Sequence, residues 1–428
     1  MAKALAKIAV MLAMFAGCGG DGVRPVFPLA GGTSGSSVPT GGVGGQTLTS
    51  VTGPNVLDVI VDSGPPGLDL PDLDVLFATA TICEPGTSTC QTIDHLVVDT
   101  GAVGVRVLES VLTLNLPDAK NAGGQTLAEC QPFADGSLAW GPLKTADVKL
   151  GGETATGLTV QVIGVKSFAI PASCTGTAQT DVQTLGANGY LGVGILLQDC
   201  GAACALPARS LSNPGNYYTC SSASACAVAS VPQSQQVSHP VAAFPVDNNG
   251  VIIQLPGLSA SGAASVPGQL IFGIGTQDNN GLGSATQIPL DAYGYGSTTF
   301  PVGGTAYGSI IDSGSNAYFF LDSATTKLPM CTGGLKDFYC PSSTTSLSAT
   351  MAAMSGGDLR VDFRVANLSR LPASSNALDD VAGPMVGSGS DPSVPAFDWG
   401  LPFFFGRAVY IAIEGKSTPA GTGPYVAF

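Results

Sequence analysis

The sequence predicts an all-β protein, and three observations carry that prediction. Glycine (58) and proline (30) are abundant in the 428 residues, charged residues make up only 11%, and 44% are hydrophobic. The apolar runs are short and are closed by turn residues at close intervals, a pattern that suits strands better than long helices. A chain of this length and apolar content can bury a large core, as one big β unit or as two to three domains. A net charge of −14 with only 16 basic residues leaves little cation to neutralise phosphates, so nucleic acid is not an expected partner. His95 and His239 are the two histidines and no HExxH or paired CxxC spacing occurs, so neither a metal site nor a cofactor is expected.

Taken in order, the first residues read as an address. Lys3 and Lys7 precede an apolar stretch, residues 8–16, that is too short to span a bilayer, and "FAGC" closes it at Cys18. This resembles the lipobox of bacterial lipoproteins, where the chain is cut before a lipid-bearing Cys; Phe15 stands in place of the usual aliphatic residue. The resemblance implies an exported protein held to the membrane through Cys18. Gly19, where Asp would mark inner-membrane retention, points to the outer membrane. Residues 19–50 are Gly, Ser and Thr with scattered Pro, a flexible tether reaching about 30 Å as a coil. Signal segment (1–18) and linker (19–50) therefore precede a folded part that starts near residue 51.

Without Cys18, ten cysteines are left, an even number that reads as five bridges in an oxidising compartment. The close pairs Cys83/Cys90, Cys200/Cys204, Cys220/Cys226 and Cys331/Cys340 would each staple a short loop and leave Cys130 with Cys174. Spacing alone does not fix connectivity, so this pairing is a hypothesis.

Three Asp-(Ser/Thr)-Gly triplets follow. "VIVDSGPPG" at Asp62 runs into Pro65 and Pro66, which cannot join a sheet ladder, so Asp62 reads as closing a first strand with a solvent turn. "TIDHLVVDTGAVGVRVL" at Asp99 and "YGSIIDSGSNAYFF" at Asp312 share another design: strand, Asp, tight Gly turn, second apolar segment. Turn amides can hydrogen-bond the carboxylate there while apolar flanks restrict water. Taken alone, each Asp is most simply a residue capping its own turn; the matching flanks favour a pair.

Further segments extend the pattern. "FADGSLAWGPLKTADVKLGG" (133–152), "GANGYLGVGI" (186–195), "GQLIFGIGTQDNN" (268–280) and "FDWGLPFFFGRAVYIAIEG" (397–415) follow in order, and 213 residues separate Asp99 from Asp312. As an ordered set these segments resemble the pepsin-like aspartic proteases, over most of residues 51–428. The chain also resembles a family of uncharacterised bacterial lipoproteins carrying the same two triplets. The resemblance implies a bilobal double β-barrel with one Asp-Thr/Ser-Gly loop per lobe: an amino-terminal lobe over 51–276 with a Cys-rich insertion, and a carboxy-terminal lobe over 277–428.

It also implies residue roles. Asp99 and Asp312 would share one proton and activate a water. Thr100 and Ser313 would cross-link the two loops, Gly101 and Gly314 would permit the turns, and Ser315 would hydrogen-bond its Asp. Phe133, Gly136 and Ser137 would belong to a flap hairpin over the site. Three positions depart from the pattern: Ala102 replaces Ser, Phe133 replaces the flap Tyr, and Arg106 replaces the Trp which that Tyr bonds.

Other readings are structural. His95 reads as a structural or exposed side chain, Trp140 as packed against its sheet, and Phe403, Phe404 and Phe405 as core. "GIGTQDNNGLG" opens no helix and offers no Lys, so it does not read as a phosphate loop. The expected function is a cell-envelope endopeptidase acting as a monomer on peptide or protein substrates. The alternative is a noncatalytic surface lipoprotein that binds a partner or peptide in the same cleft.

Overall fold

Strand pairing builds the architecture outward from the two Asp loops. In the computed structural model of the protein, residues 40–41, 48–69, 71–291, 293–385 and 396–428 are described; Cys18 and most of the linker lie outside them. The strand Cys90–Asp99 pairs with Leu76–Cys83 on one side and, in parallel, with Gly189–Val193 on the other. Gly189–Val193 in turn lies antiparallel to Val103–Leu108, the strand that leaves the Asp99 turn. Glu153–Ile163 and Ser137–Leu150 follow, and Ser137–Leu150 pairs back onto Leu76–Cys83. These six strands close a barrel, the amino-terminal lobe. Its interior is aliphatic, with Ile82, Leu96, Val98, Val105, Val148 and Leu191 all buried.

The second lobe repeats the motif around Asp312 but does not close. Its sheet runs Thr40–Gly41, Asp358–Val365, Thr345–Ala352, Gly296–Phe300, Thr305–Ile311, Phe397–Trp399, Tyr318–Phe320, Ala382–Gly383. Phe397–Trp399 is parallel to the strand entering the Asp312 turn and antiparallel to the strand leaving it, as Gly189–Val193 is in the first lobe. The core here is aromatic: Phe397 lies 4.6 Å from Trp399 and 5.0 Å from Phe320, ring centroid to centroid. A closed barrel in the first lobe and a half-barrel sheet in this one make the all-β, bilobal arrangement that was expected.

A six-stranded antiparallel floor joins the lobes, in the order Val56–Val61, Val266–Phe272, Gly250–Leu255, Arg407–Ala412, Tyr425–Ala427, Gln287–Pro289. Strands from both ends of the chain thus share one sheet across the boundary expected at 276/277. Phe403, Phe404 and Phe405 are buried above it.

Five disulfides form, with the expected pairing: Cys83–Cys90, Cys130–Cys174, Cys200–Cys204, Cys220–Cys226 and Cys331–Cys340. Among the described residues no helix is long and apolar enough to cross a membrane.

Candidate active site

The two Asp loops meet where the lobes meet. Asp99 ends one strand in register with Gly192, and Asp312 follows another, its amide donating to the Trp399 carbonyl (3.1 Å). Each loop reaches into the other. The Thr100 amide donates to Ser313 Oγ (3.1 Å) and the Ser313 amide to Thr100 Oγ1 (2.9 Å). The hydroxyl protons go back across the joint, Thr100 Oγ1 to the Ile311 carbonyl (3.0 Å) and Ser313 Oγ to the Val98 carbonyl (2.7 Å). Four bonds between residues more than 200 apart in sequence fix the loops face to face.

That joint brings the carboxylates together. The Gly101 amide donates to Asp99 Oδ1 (2.8 Å) and also to Asp312 Oδ1 (3.2 Å), so oxygens of both acids converge on one N–H. Asp312 has further donors in the Gly314 amide (2.8 Å) and Ser315 Oγ, which reaches Oδ2 at 3.0 Å. The two turn glycines are needed for proximity. A Cβ on Gly101 would stand 2.9 Å from the Asp312 carboxyl, and one on Gly314 would stand 2.7 Å from that of Asp99.

Both acids are fully buried. Burial, and then the neighbouring Asp312 charge, push the Asp99 carboxyl well above the ordinary range. Burial also pushes Asp312 up, but the Gly314 amide and Ser315 hold it down. Asp312 accepts from the Gly101 and Gly314 amides and from Ser315, and Asp99 from the Gly101 amide, so of a pair that holds one charge Asp312 is the better placed to carry it. Asp99 Oδ2 has no hydrogen-bond partner among the described residues.

The segment expected to roof the pair forms a hairpin. Its strands, Thr126–Pro132 and Ser137–Leu150, are joined by a turn in which Gly136 N–H donates to the Phe133 carbonyl (3.0 Å) and Phe133 N–H to that of Ser137 (2.9 Å). Gly136 has φ +80°, a left-handed conformation that glycine adopts without strain. Phe133 is buried against Tyr190 with ring centroids 5.3 Å apart. At the tip, Ala134 packs on a cluster of the other lobe that includes Phe319 and Phe338. The hairpin is braced from behind, because the Cys-rich insertion contributes Tyr217–Ser222 to the free edge of Thr126–Pro132. Trp140 is packed in that brace, edge-on to Tyr218 at 5.1 Å, with its Nε1 donating to the Phe168 carbonyl (3.1 Å).

Several working residues were not found by reading the sequence. Arg106 was noted only as a departure, yet it is buried at the hub of an ionic network. Its Nη2 bonds Glu129 (3.0 Å) on the roof strand and Asp199 (2.8 Å) in the insertion, and its Nε bonds Gln161 (3.0 Å). Tyr217 Oη donates to Asp199 Oδ1 (2.6 Å). Asp74 straps the lobes together, its amide donating to the Asn376 carbonyl and its Oδ1 accepting from the Leu378 amide, both at 2.7 Å. Asp398 is a third buried acid beside the pair; the only signal for it was a carboxylate between two aromatics in "FDWG". His95 bridges Asp62 and Asp94 at 3.5 and 3.3 Å, away from the dyad.

Beside Thr100 and Gly101 a pocket opens, walled by Ile195, Leu290, Tyr293, Tyr295 and Ile310. It offers apolar surface within reach of the dyad.

Two lobes, an Asp loop from each, and a shared floor define a bilobal, all-β protein with a pepsin-like fold. Residues 51–428 match the family described as "Protein of unknown function (DUF3443)", and the chain belongs to that family. No curated protein matches the chain. Among solved structures it is similar to the aspartic proteinase from Irpex lacteus, at 14% identity and a TM-score of 0.49, over 87% of this chain and 96% of that one.

Proposed function

We propose that the protein is an acid-dyad endopeptidase of the cell envelope. The observation that carries this reading is the single Gly101 amide shared by Asp99 and Asp312, which holds two buried carboxyls at the separation where one proton serves both. A water bound between them would lose a proton to the Asp312 carboxylate as it attacks a peptide carbonyl, while the Asp99 acid donates to the carbonyl oxygen. The apolar pocket beside Gly101 suits a hydrophobic side chain of an extended peptide laid between the lobes. Five disulfides support an oxidising compartment, and the "FAGC" segment supports anchoring through Cys18 at the outer membrane. The enzyme would act as a monomer.

One observation favours the second reading, a noncatalytic binding protein: the roof is closed and braced, and it presents Phe133 where a tyrosine latch would sit. Incubation of the full chain with an unfolded protein between about pH 3 and pH 8 separates the two. A bell-shaped rate profile that Asp99→Asn and Asp312→Asn each reduce by at least about 10³-fold supports catalysis. Equal cleavage by wild type and both variants, or none by wild type, removes it.

A further inference from the structure

Asp398 occupies a position that a simple core would give to an apolar side chain. It lies in register with Ile310 on the strand entering the Asp312 turn and with Phe319 on the strand leaving it. Side chains on a strand alternate between faces, and residues in register share one. Ile310 and Asp312 are two apart, so Asp398 stands on the same face as Asp312, while its neighbour Trp399 turns to the aromatic core. The side chain is fully buried, and both carboxyl oxygens lack a hydrogen-bond partner among the described residues. The charged groups acting on it are Asp312 and Asp99, with Ser315 alongside. The phenols on the flanking strands, Tyr307 and Tyr318, have the opposite parity, Tyr318 being in register with Trp399.

A buried carboxyl without donors is costly as an anion and is carried as the neutral acid. Burial first, and the Asp312 charge second, push Asp398 well above the usual range. A neutral acid has a proton to give, and the acceptor at hand is the Ser315 hydroxyl, whose own proton points to Asp312 Oδ2 at 3.0 Å.

Building on the acid-dyad reading, we propose that Asp398 is a positioning acid of the site, able to reach Asp312 through Ser315 when its acid proton turns to Ser315 Oγ, and that it keeps a second proton in reserve for the dyad. When Asp312 needs a proton, Ser315 Oγ passes its own to Asp312 Oδ2 and takes one from Asp398. Ser315 is regenerated, Asp398 becomes the carboxylate, and Asp312 the acid. The new Asp398 charge then holds the last dyad proton in place.

Two measurements on the full chain test this. In denaturant titrations at about pH 4.5 and 7.5, a group that keeps its proton only when folded makes the unfolding constant rise up to about tenfold per pH unit. Asp398→Asn, and Asp398→Leu as a second variant, are expected to cut the wild-type rise across that interval by at least tenfold. The cut should shrink in an Asp312→Asn background, where the coupling is gone. An unchanged rise, or full additivity with Asp312→Asn, overturns the proposal whether or not the protein cleaves anything. In the rate profile, Asp398→Asn is expected to move the alkaline limb of kcat/KM about one unit towards acid with the acid limb in place. A fixed limb or the opposite shift overturns the reserve role. Absence of cleavage by wild type counts against the dyad reading alone, and the titrations then decide Asp398.

Discussion

Thr100 and Ser313 exchange hydrogen bonds, each amide donating to the other's hydroxyl at 3.1 and 2.9 Å. Both lie at the seam between lobes and both are buried, so a lost hydroxyl strands an amide where water cannot replace it. Thr100→Val and Ser313→Ala are each expected to cost about 1–3 kcal/mol in urea unfolding. The double variant should cost less than the sum, because the two changes dismantle one joint. Strict additivity would show that the hydroxyls act separately.

The turn glycines set the spacing of the acids. A methyl at position 314 has to enter space that the Asp99 carboxyl fills, 2.7 Å from the Cβ site. Gly314→Ala is therefore expected to lower any turnover at least about 10²-fold with a cooperative unfolding transition retained. A variant that turns over normally would mean the carboxyls need not sit this close.

Arg106 neutralises a roof strand and an insertion at once. Replacing it with Met leaves Glu129 and Asp199 facing each other without the guanidinium they share, at an expected cost of about 3–5 kcal/mol. Adding Glu129→Gln and Asp199→Asn should restore most of the loss, since neutral groups no longer need the cation. Failure of the triple variant to recover would point to shape, not charge, as the role of Arg106.

Acidity is expected to stabilise the fold. Burial raises Asp99, Asp312, Asp398 and Asp74, and takes Asp72 to about 7 and Asp380 to about 6. An acid raised in the folded state contributes stability that is complete below its unfolded value near 4 and is lost as pH climbs through its folded value. His239 opposes this. Burial holds it down at about 4, so it favours folding less as pH falls below 6.5. Asp135 and Glu153, raised by burial, and His95, raised by Asp62, act in the same direction as these acids, while the depressed Asp62, Asp181 and Asp322 titrate below the range, so the urea midpoint is expected to be higher at about pH 5 than at about pH 7.5. A midpoint that rises towards neutrality would show these carboxyls ionised in the folded protein.

The parts legible in the sequence were those whose signal is local. A strand, an Asp and a Gly turn lie within one short segment, and loops as tight as Cys83–Cys90 leave few partners, so both loops and all five bridges could be anticipated. Arg106 was legible only as a missing Trp, because its partners Glu129 and Asp199 lie 23 and 93 residues away. A charged residue in an apolar strand announces nothing until its counter-ions are placed. Asp398 was hidden for the complementary reason: "FDWG" reads as a buried strand, and the face on which the acid stands follows only from its register with Ile310.

The shared floor has a consequence for synthesis. Gly250–Leu255 needs Arg407–Ala412 as its neighbour, and that strand needs Tyr425–Ala427, so the floor cannot be completed until strands far apart in sequence have all been made. Contacts so remote along the chain form late and slowly. A molecule that lacks Arg407–Ala412 or Tyr425–Ala427 has an unfinished floor beneath the joint that sets Asp312 against Asp99.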